Sequence, residues 1–315
     1  MSNLQHDCAA SLSSDCERVL RTSPAQRITT HDAELGEGMM IRRALPSRQR
    51  RMVGAWCFLD HFGPVDVGTG DGLRVGPHPH IGLQTVTWPL AGEILHRDSL
   101  GCEQLIRPGE LNLMTAGCGI AHSEESPAVR SPLLHGAQLW IALPEAERRR
   151  EPSFVHHPQL PRLTLGDARL TLLAGEFGGE RSPAQVYSPL LGLDVACAAG
   201  GTACLPLRAD FEHGALVLEG EVELEGTALG IGTFLYLPPG RDRLELRSRG
   251  PLRLLLLGGE PFAETILMWW NFVARTPQEI VEAGNDWNAG RHFGEVHGYP
   301  GARLVAPATP WGAAG

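Results

Sequence analysis

Two histidines one residue apart, His78 and His80, stand in the stretch VGPHPHIG, and about forty residues later TAGCGIAHSEES sets His122 and Glu124 at the same i, i+2 spacing. Along an extended strand side chains repeat every second residue, so the members of each pair share a face. Two such pairs on facing strands of a small barrel would present three imidazoles and one carboxylate to a common point. That donor set suits a divalent transition metal, and a site open on one side leaves positions for water, substrate or dioxygen. Spacing alone leaves the alternative open, because H-x-H pairs also occur as unrelated loop histidines. Gly109, Gly117 and Gly119 mark the turns needed to bring a second strand back beside the first. The other histidines of this half read as supporting residues at most: His96 in LHRDS is expected to face a carboxylate or solvent, His61 in FLDHFGP to sit in a turn, and His135 to lie outside the ligand set. Cys118 is expected to be a structural thiol.

These pairs need strands to carry them, and from about residue 26 to 260 the chain supplies short apolar stretches cut by glycine and proline: TVTWPL, LNLMTA, AQLWIAL, ARLTLLAG, ALVLEGEVEL, TFLYLP and PLRLLLL. That spacing predicts an all-β sandwich or barrel. One helix is expected near the end, where Thr276-Pro277-Gln278-Glu279 offers an N-cap threonine, a proline at the first helical position and a capping-box glutamate. Leu90-Ala91-Gly92-Glu93-Ile94 and Leu218-Glu219-Gly220-Glu221-Val222 form a weak internal repeat of strand, Gly-Glu turn and returning strand. Two similar β domains follow: a tail over residues 1–25, a metal-bearing domain over 26–150, a metal-free one over 151–300, and a second tail over 301–315. Setting Gly240 against Gly119 places Arg243 opposite His122 and Glu245 opposite Glu124, with only Asp210 and His213 upstream. An arginine cannot ligate a cation, so the second half reads as scaffold or partner surface.

Composition narrows the function classes. The 315 residues suit two domains of ordinary size. All 27 basic residues are arginine, the formal net charge is −9, and Arg148-Arg149-Arg150 is the longest basic run, which argues against a groove that neutralises nucleic-acid phosphates. Seven cysteines without a C-x-x-C pair indicate reduced thiols and no disulfide framework. The first twenty residues lack a signal-peptide pattern, and no apolar run approaches the roughly 20 residues that span a bilayer, so a cytoplasmic monomer is expected.

The segments HPHIGLQTVTWPLAGEILHRDSLG, IRPGELNLMTAGCGIAHSE, LHGAQLWIALP and LLGGEPFAETILMWWNF resemble the successive signatures of the pirin family, within the cupin superfamily, over about residues 26 to 290. The resemblance implies two stacked cupin barrels with a short C-terminal helix. It also implies a single metal, Fe(II) before Mn, Ni, Cu or Zn, held in the N-terminal barrel by His78, His80, His122 and Glu124. General cupins place a ligand glutamate four residues after the second histidine, where this chain has Gln84; the carboxylate then comes from Glu124. Many pirins have arginine and phenylalanine at Ile81 and Leu83, positions expected to line or support the pocket.

Two functions follow from the resemblance. One is a quercetin 2,3-dioxygenase-like reaction, in which a flavonol or similar phenolic substrate and dioxygen meet at the metal and Glu124 accepts the substrate's hydroxyl proton. The other is an iron-dependent redox sensor that binds a transcription factor or a metabolic enzyme.

Overall fold

The computed structural model describes residues 9–15 and 24–312. Two β-barrels stack through a shared apolar core, each built from one large and one four-stranded antiparallel sheet. In the first barrel a seven-stranded sheet runs from Ser153–His157 through Leu111–Thr115, Leu83–Ala91, Leu133–Ala142, Trp56–Asp66 and Met39–Leu45 to His31–Leu35. The facing sheet orders Arg74–His80, Ile120–Glu125, Ile94–Asp98 and Glu103–Ile106. The second barrel repeats this plan, with Thr202–Pro206, Arg243–Ser248, Glu221–Leu224 and Thr227–Gly230 as its small sheet.

The repeat seen in the sequence is the corner at which each chain crosses between sheets. Gly92 and Gly220 both have positive φ, +77° and +75°. A Cβ at either would lie 2.4 Å from the Leu133 carbonyl oxygen or 2.0 Å from that of Pro251, so only glycine fits.

Strand exchange ties the barrels together. Gln26–Thr29 pairs with Thr233–Leu237 in the second barrel, and Ser153–His157 pairs with Leu111–Thr115 in the first. The proposed division near residue 150 therefore does not separate two self-contained sheets. Trp56, Trp88 and Leu139 pack with Leu173, Leu216, Phe234 and Leu255 between the barrels, and the Trp56 indole donates to the Leu191 carbonyl at 3.1 Å.

The expected tails are partly structured. Residues 1–8, 16–23 and 313–315 lie outside the described residues, but Ser11–Leu12 pairs with Leu267–Trp269, because the edge of that hairpin offers unpaired backbone groups. Residues 301–312 carry no regular element yet are anchored: Leu304 N–H donates to the Pro77 carbonyl, and the Trp287 indole donates to the Leu304 carbonyl. The helix is Pro277–Asn288, with both capping-box hydrogen bonds present. The five described cysteines are free. No helix among the described residues is long and apolar enough to cross a membrane.

Candidate metal centre

His78 and His80 lie on Arg74–His80 and point into the first barrel, as alternation requires. Ile120–Glu125 pairs antiparallel with that strand, placing His122 beside His78. An irregularity in register follows, so that Glu124 stands beside Val75. His78, His80 and His122 each offer a ring nitrogen, and the three nitrogens fall within 4.8 Å of one another. Glu124 falls outside that trio and forms a second one with His96 and His122 under the same limit. It lines the same cavity, and its Oε1 accepts from the Thr87 hydroxyl at 3.0 Å.

Backbone carbonyls orient the imidazoles. His78 Nδ1 donates to the Gly76 carbonyl at 2.8 Å and His80 Nδ1 to the Asn271 carbonyl at 2.9 Å. Each ring therefore carries its proton on Nδ1 and turns an Nε2 lone pair inward. His80 Nε2 lies 3.0 Å from His122 Nε2. All three rings are almost fully buried, and burial drives their pKa values down, to about 3 for His78 and well below the usual range for His80 and His122. Burial also raises the Glu124 carboxyl, against the opposing effects of His96 and the Thr87 hydroxyl. Neutral, convergent imidazole nitrogens beside a desolvated carboxylate are the donor chemistry that a transition-metal cation satisfies, so the residues fit a metal.

The Asn271 carbonyl was not foreseen. It lies in the turn between Leu267–Trp269 and Phe272–Ala274, where buried Trp270 holds a φ of +50°. A bulky residue in that region needs its surroundings to hold it, and Trp270 packs among Trp269, Phe272, Trp287 and Phe293. Its only sequence signal is the LMWWNF stretch. The cluster covers the outer face of Ile120–Glu125 through Ala121, so the C-terminal segment closes over the first barrel.

Other expectations are revised. His61 does not sit in a turn; it is mid-strand on Trp56–Asp66, with its Nε2 2.8 Å from His135 Nε2, because the strand continues through FGP. His96 does face a carboxylate, with Nε2 3.0 Å from Asp98 Oδ2, and it also touches His122. Gln84 is turned away from the cavity, its amide donating to Thr115 and to the Gln185 carbonyl. Ile81 and Leu83 do not line the cavity; Leu83 packs in the cluster that contains Trp140, and Ile81 bridges to Phe272. Cys118 is in a turn outside both clusters, and burial raises its thiol above the ordinary range. In the second barrel Arg243 and Glu245 are exposed and the interior is filled by leucine, valine and phenylalanine, with no candidate metal cluster among the described residues.

The cavity above the trio is lined by Phe58, Phe62, Leu73 and Trp140 with Asp60 and Gln138, and encloses about 20 Å³. That is room for one water-sized molecule. Leu35 is the most exposed of the lining residues and half-buried, which marks the mouth.

Comparison with known proteins agrees with this architecture. Residues 38–141 match the Pirin family model, and residues 192–294 match the Pirin C-terminal cupin domain. The chain belongs to the pirin family. This pirin-family chain is 51% identical over 317 residues to a Pseudomonas aeruginosa protein named "Putative quercetin 2,3-dioxygenase PA1205", covering 99% of this chain and 98% of that one. A Caulobacter vibrioides pirin-like protein is 40% identical over 258 residues, 80% of this chain and 88% of the other. The crystal structure of a quercetin 2,3-dioxygenase from Acinetobacter baumannii superposes with a TM-score of 0.89 at 47% identity, over 91% of this chain and 96% of that one.

Proposed function

We propose that this pirin is a metal-dependent dioxygenase acting on quercetin or a similar flavonol, with iron(II) held by His78, His80, His122 and Glu124. The observation that carries the reading is the convergence of the His78, His80 and His122 nitrogens within 4.8 Å at the floor of a mostly apolar cavity. Likeness to proteins named as quercetin dioxygenases supports the choice of substrate class. A metal there would supply Lewis acidity toward the substrate hydroxyl and a meeting point for substrate and dioxygen.

The chain's own residues do the rest. The Gly76 and Asn271 carbonyls keep the His78 and His80 lone pairs aimed inward before anything binds. Glu124, with a pKa raised by burial, takes the hydroxyl proton on its carboxylate, and Thr87 steadies the carboxylate through Oε1. Phe58, Phe62 and Trp140 line the cavity, exclude water and offer apolar contact to an aromatic ring. Ligand sites commonly enclose roughly 300 Å³ or more, so a flavonol must displace side chains at the Leu35 mouth before it reaches the histidines.

The test is anaerobic loading with iron(II), then addition of quercetin and air, following the flavonol absorbance. Loss in the wild type and none in His80→Ala supports the assignment; no loss in the wild type, or equal loss in both, overturns it. One observation favours a second reading. The cavity as folded holds about 20 Å³, which suits a metal-dependent redox regulator with a protein partner better than an enzyme with a wide slot. A stoichiometric partner captured under reducing conditions and lost on oxidation would select that reading.

A further inference from the structure

Beside the proposed ligands stands a second pair with the same i, i+2 spacing, His96 and Asp98 on Ile94–Asp98. Both side chains are buried, and the strand lies on the far side of Ile120–Glu125 from His78 and His80, with His122 paired to Asp98 and Glu124 to His96. His96 Nε2 is 3.0 Å from Asp98 Oδ2, and His96 Nδ1 is 3.4 Å from His122 Nδ1. Phe154 stacks on the His96 ring with centroids 4.3 Å apart, which fixes its plane.

The protons in this row can be assigned once His122 Nε2 is given to a metal. Its remaining proton is then on Nδ1, and the group facing that proton is His96 Nδ1, which must accept. His96 therefore donates from Nε2, and Asp98 Oδ2 receives the bond. We infer that His96 and Asp98 are positioning residues that lock His122 in the tautomer whose Nε2 lone pair points at the metal. The inference rests on the reading of His122 as a ligand. Asp98 is itself held, because its Oδ1 accepts from the backbone N–H groups of Leu100 at 2.9 Å and Cys102 at 3.1 Å.

That second anchor makes Asp98→Asn an informative probe. The two backbone donors keep an oxygen at the Oδ1 position, so the turn survives and the new amide presents its NH₂ to His96. His96 must then accept at Nε2 and carry its proton on Nδ1, facing the Nδ1 proton of His122. The relay is inverted, and His122 binds metal only by giving up that arrangement.

The experiment measures Co(II) affinity by chelator competition, and the Co(II) visible spectrum, on the full chain. Outer-shell partners of this kind typically contribute roughly 10–100-fold in affinity. His96→Leu should lose that factor, and Asp98→Asn at least as much. His96→Asn, whose amide oxygen falls near the position of Nδ1, should recover most of what His96→Leu loses. The double variant Asp98→Asn/His96→Leu should bind no worse than His96→Leu alone, because the inverted partner has been removed. The spectrum should keep its band positions throughout.

A purely structural role for His96 predicts that leucine is tolerated better than asparagine, and that order overturns the inference, as does unchanged affinity in Asp98→Asn. A changed spectrum in His96→Leu alone would make His96 a direct ligand and also overturn it. His78→Ala separates the two readings: if it leaves Co(II) affinity intact, the metal-site assignment falls, whereas its loss alongside an unaffected Asp98→Asn removes only the relay.

Discussion

Arg43 forms a buried ion pair with Asp60, which lines the cavity, and removing one partner should be far more damaging than removing both. Arg43 Nε and Nη2 meet the two Asp60 oxygens at 2.7 and 2.6 Å, and the side chains are 6% and 1% exposed. The guanidinium lies 4.6 Å from the Phe58 ring, which stacks on Trp140, and Trp140 in turn touches His80. Two unit charges about 4 Å apart attract by about 4 kcal/mol at an effective dielectric constant near 20. Breaking such a pair from one side typically costs about 3–5 kcal/mol, because the charge left behind has lost both water and partner. Arg43→Met should therefore destabilise the protein by about 3–5 kcal/mol, and Asp60→Leu by a similar amount. The double variant Arg43→Met/Asp60→Leu removes both charges and their desolvation, so it should lie within about 2 kcal/mol of the wild type. The coupling between the two sites is then at least about 4 kcal/mol. Arg208→Ala supplies the control: its partner Asp210 is half exposed, and surface pairs contribute at most about 1 kcal/mol. The assay is urea unfolding at pH 7 by fluorescence and circular dichroism, with coincident transitions and an unchanged slope required before midpoints are compared. Additive costs in the double variant, or a cost under about 1 kcal/mol for Arg43→Met, would refute the reasoning.

Three other outcomes are expected. His213 is fully buried, neither ring nitrogen has a hydrogen-bond partner among the described residues, and burial lowers its pKa to about 4. Between about pH 4 and 6.5 the unfolded chain binds the proton that the fold refuses, so this residue makes stability fall as pH drops through that window. His213→Leu should flatten the loss and gain about 1–3 kcal/mol at pH 7, read from denaturation curves at pH 7 and 5; steeper acid loss would contradict it. Gly220→Ala drives a Cβ to 2.0 Å from the Pro251 oxygen and should cost more than about 2 kcal/mol in thermal unfolding. Gly226→Ala meets nothing within 4 Å and should cost only about 1 kcal/mol of φ strain, so equal costs would remove the argument from the corner. Metal at a hundredfold excess over its Kd should stabilise the fold by about 2.7 kcal/mol, raising Tm above that of chelator-treated protein, with no rise in His78→Ala.

How much of this was legible in the chain depends on whether a feature is local. The H-x-H pair, the Gly-Glu corners and the capping box are set by strand alternation, positive φ and helix-end chemistry, and each could be read from a few neighbouring residues. His96 and Asp98 had the same i, i+2 signal as His78 and His80, but their position beside His122 depends on the register between strands, which no short stretch encodes. The carbonyl that holds His80 comes from Asn271, 191 positions away and from backbone, so residue type gave no hint of it. Cavity size depends on how Leu35, Phe62 and Leu73 pack, and that too is outside the reach of spacing.

The second barrel shows how an expectation can rest on residues that face the wrong way. Matching Gly240 to Gly119 sets Arg243 against His122, and the expectation of a metal-free half rests on that arginine. Arg243–Ser248 alternates exposed and buried, with Leu244, Leu246 and Ser248 inward, so Arg243 and Glu245 face solvent and are out of phase with His122 and Glu124 by one residue. A one-residue slip moves every side chain to the other face. The inward positions of this strand are instead taken by a pair of leucines, and among the described residues that core has no cluster of ligating side chains. The outer faces differ as well: that of Ile120–Glu125 is buried under the Trp269–Phe293 cluster, whereas that of Arg243–Ser248 is open to water. The C-terminal segment, which also supplies the carbonyl to His80, therefore distinguishes the barrel with the histidine trio from its copy.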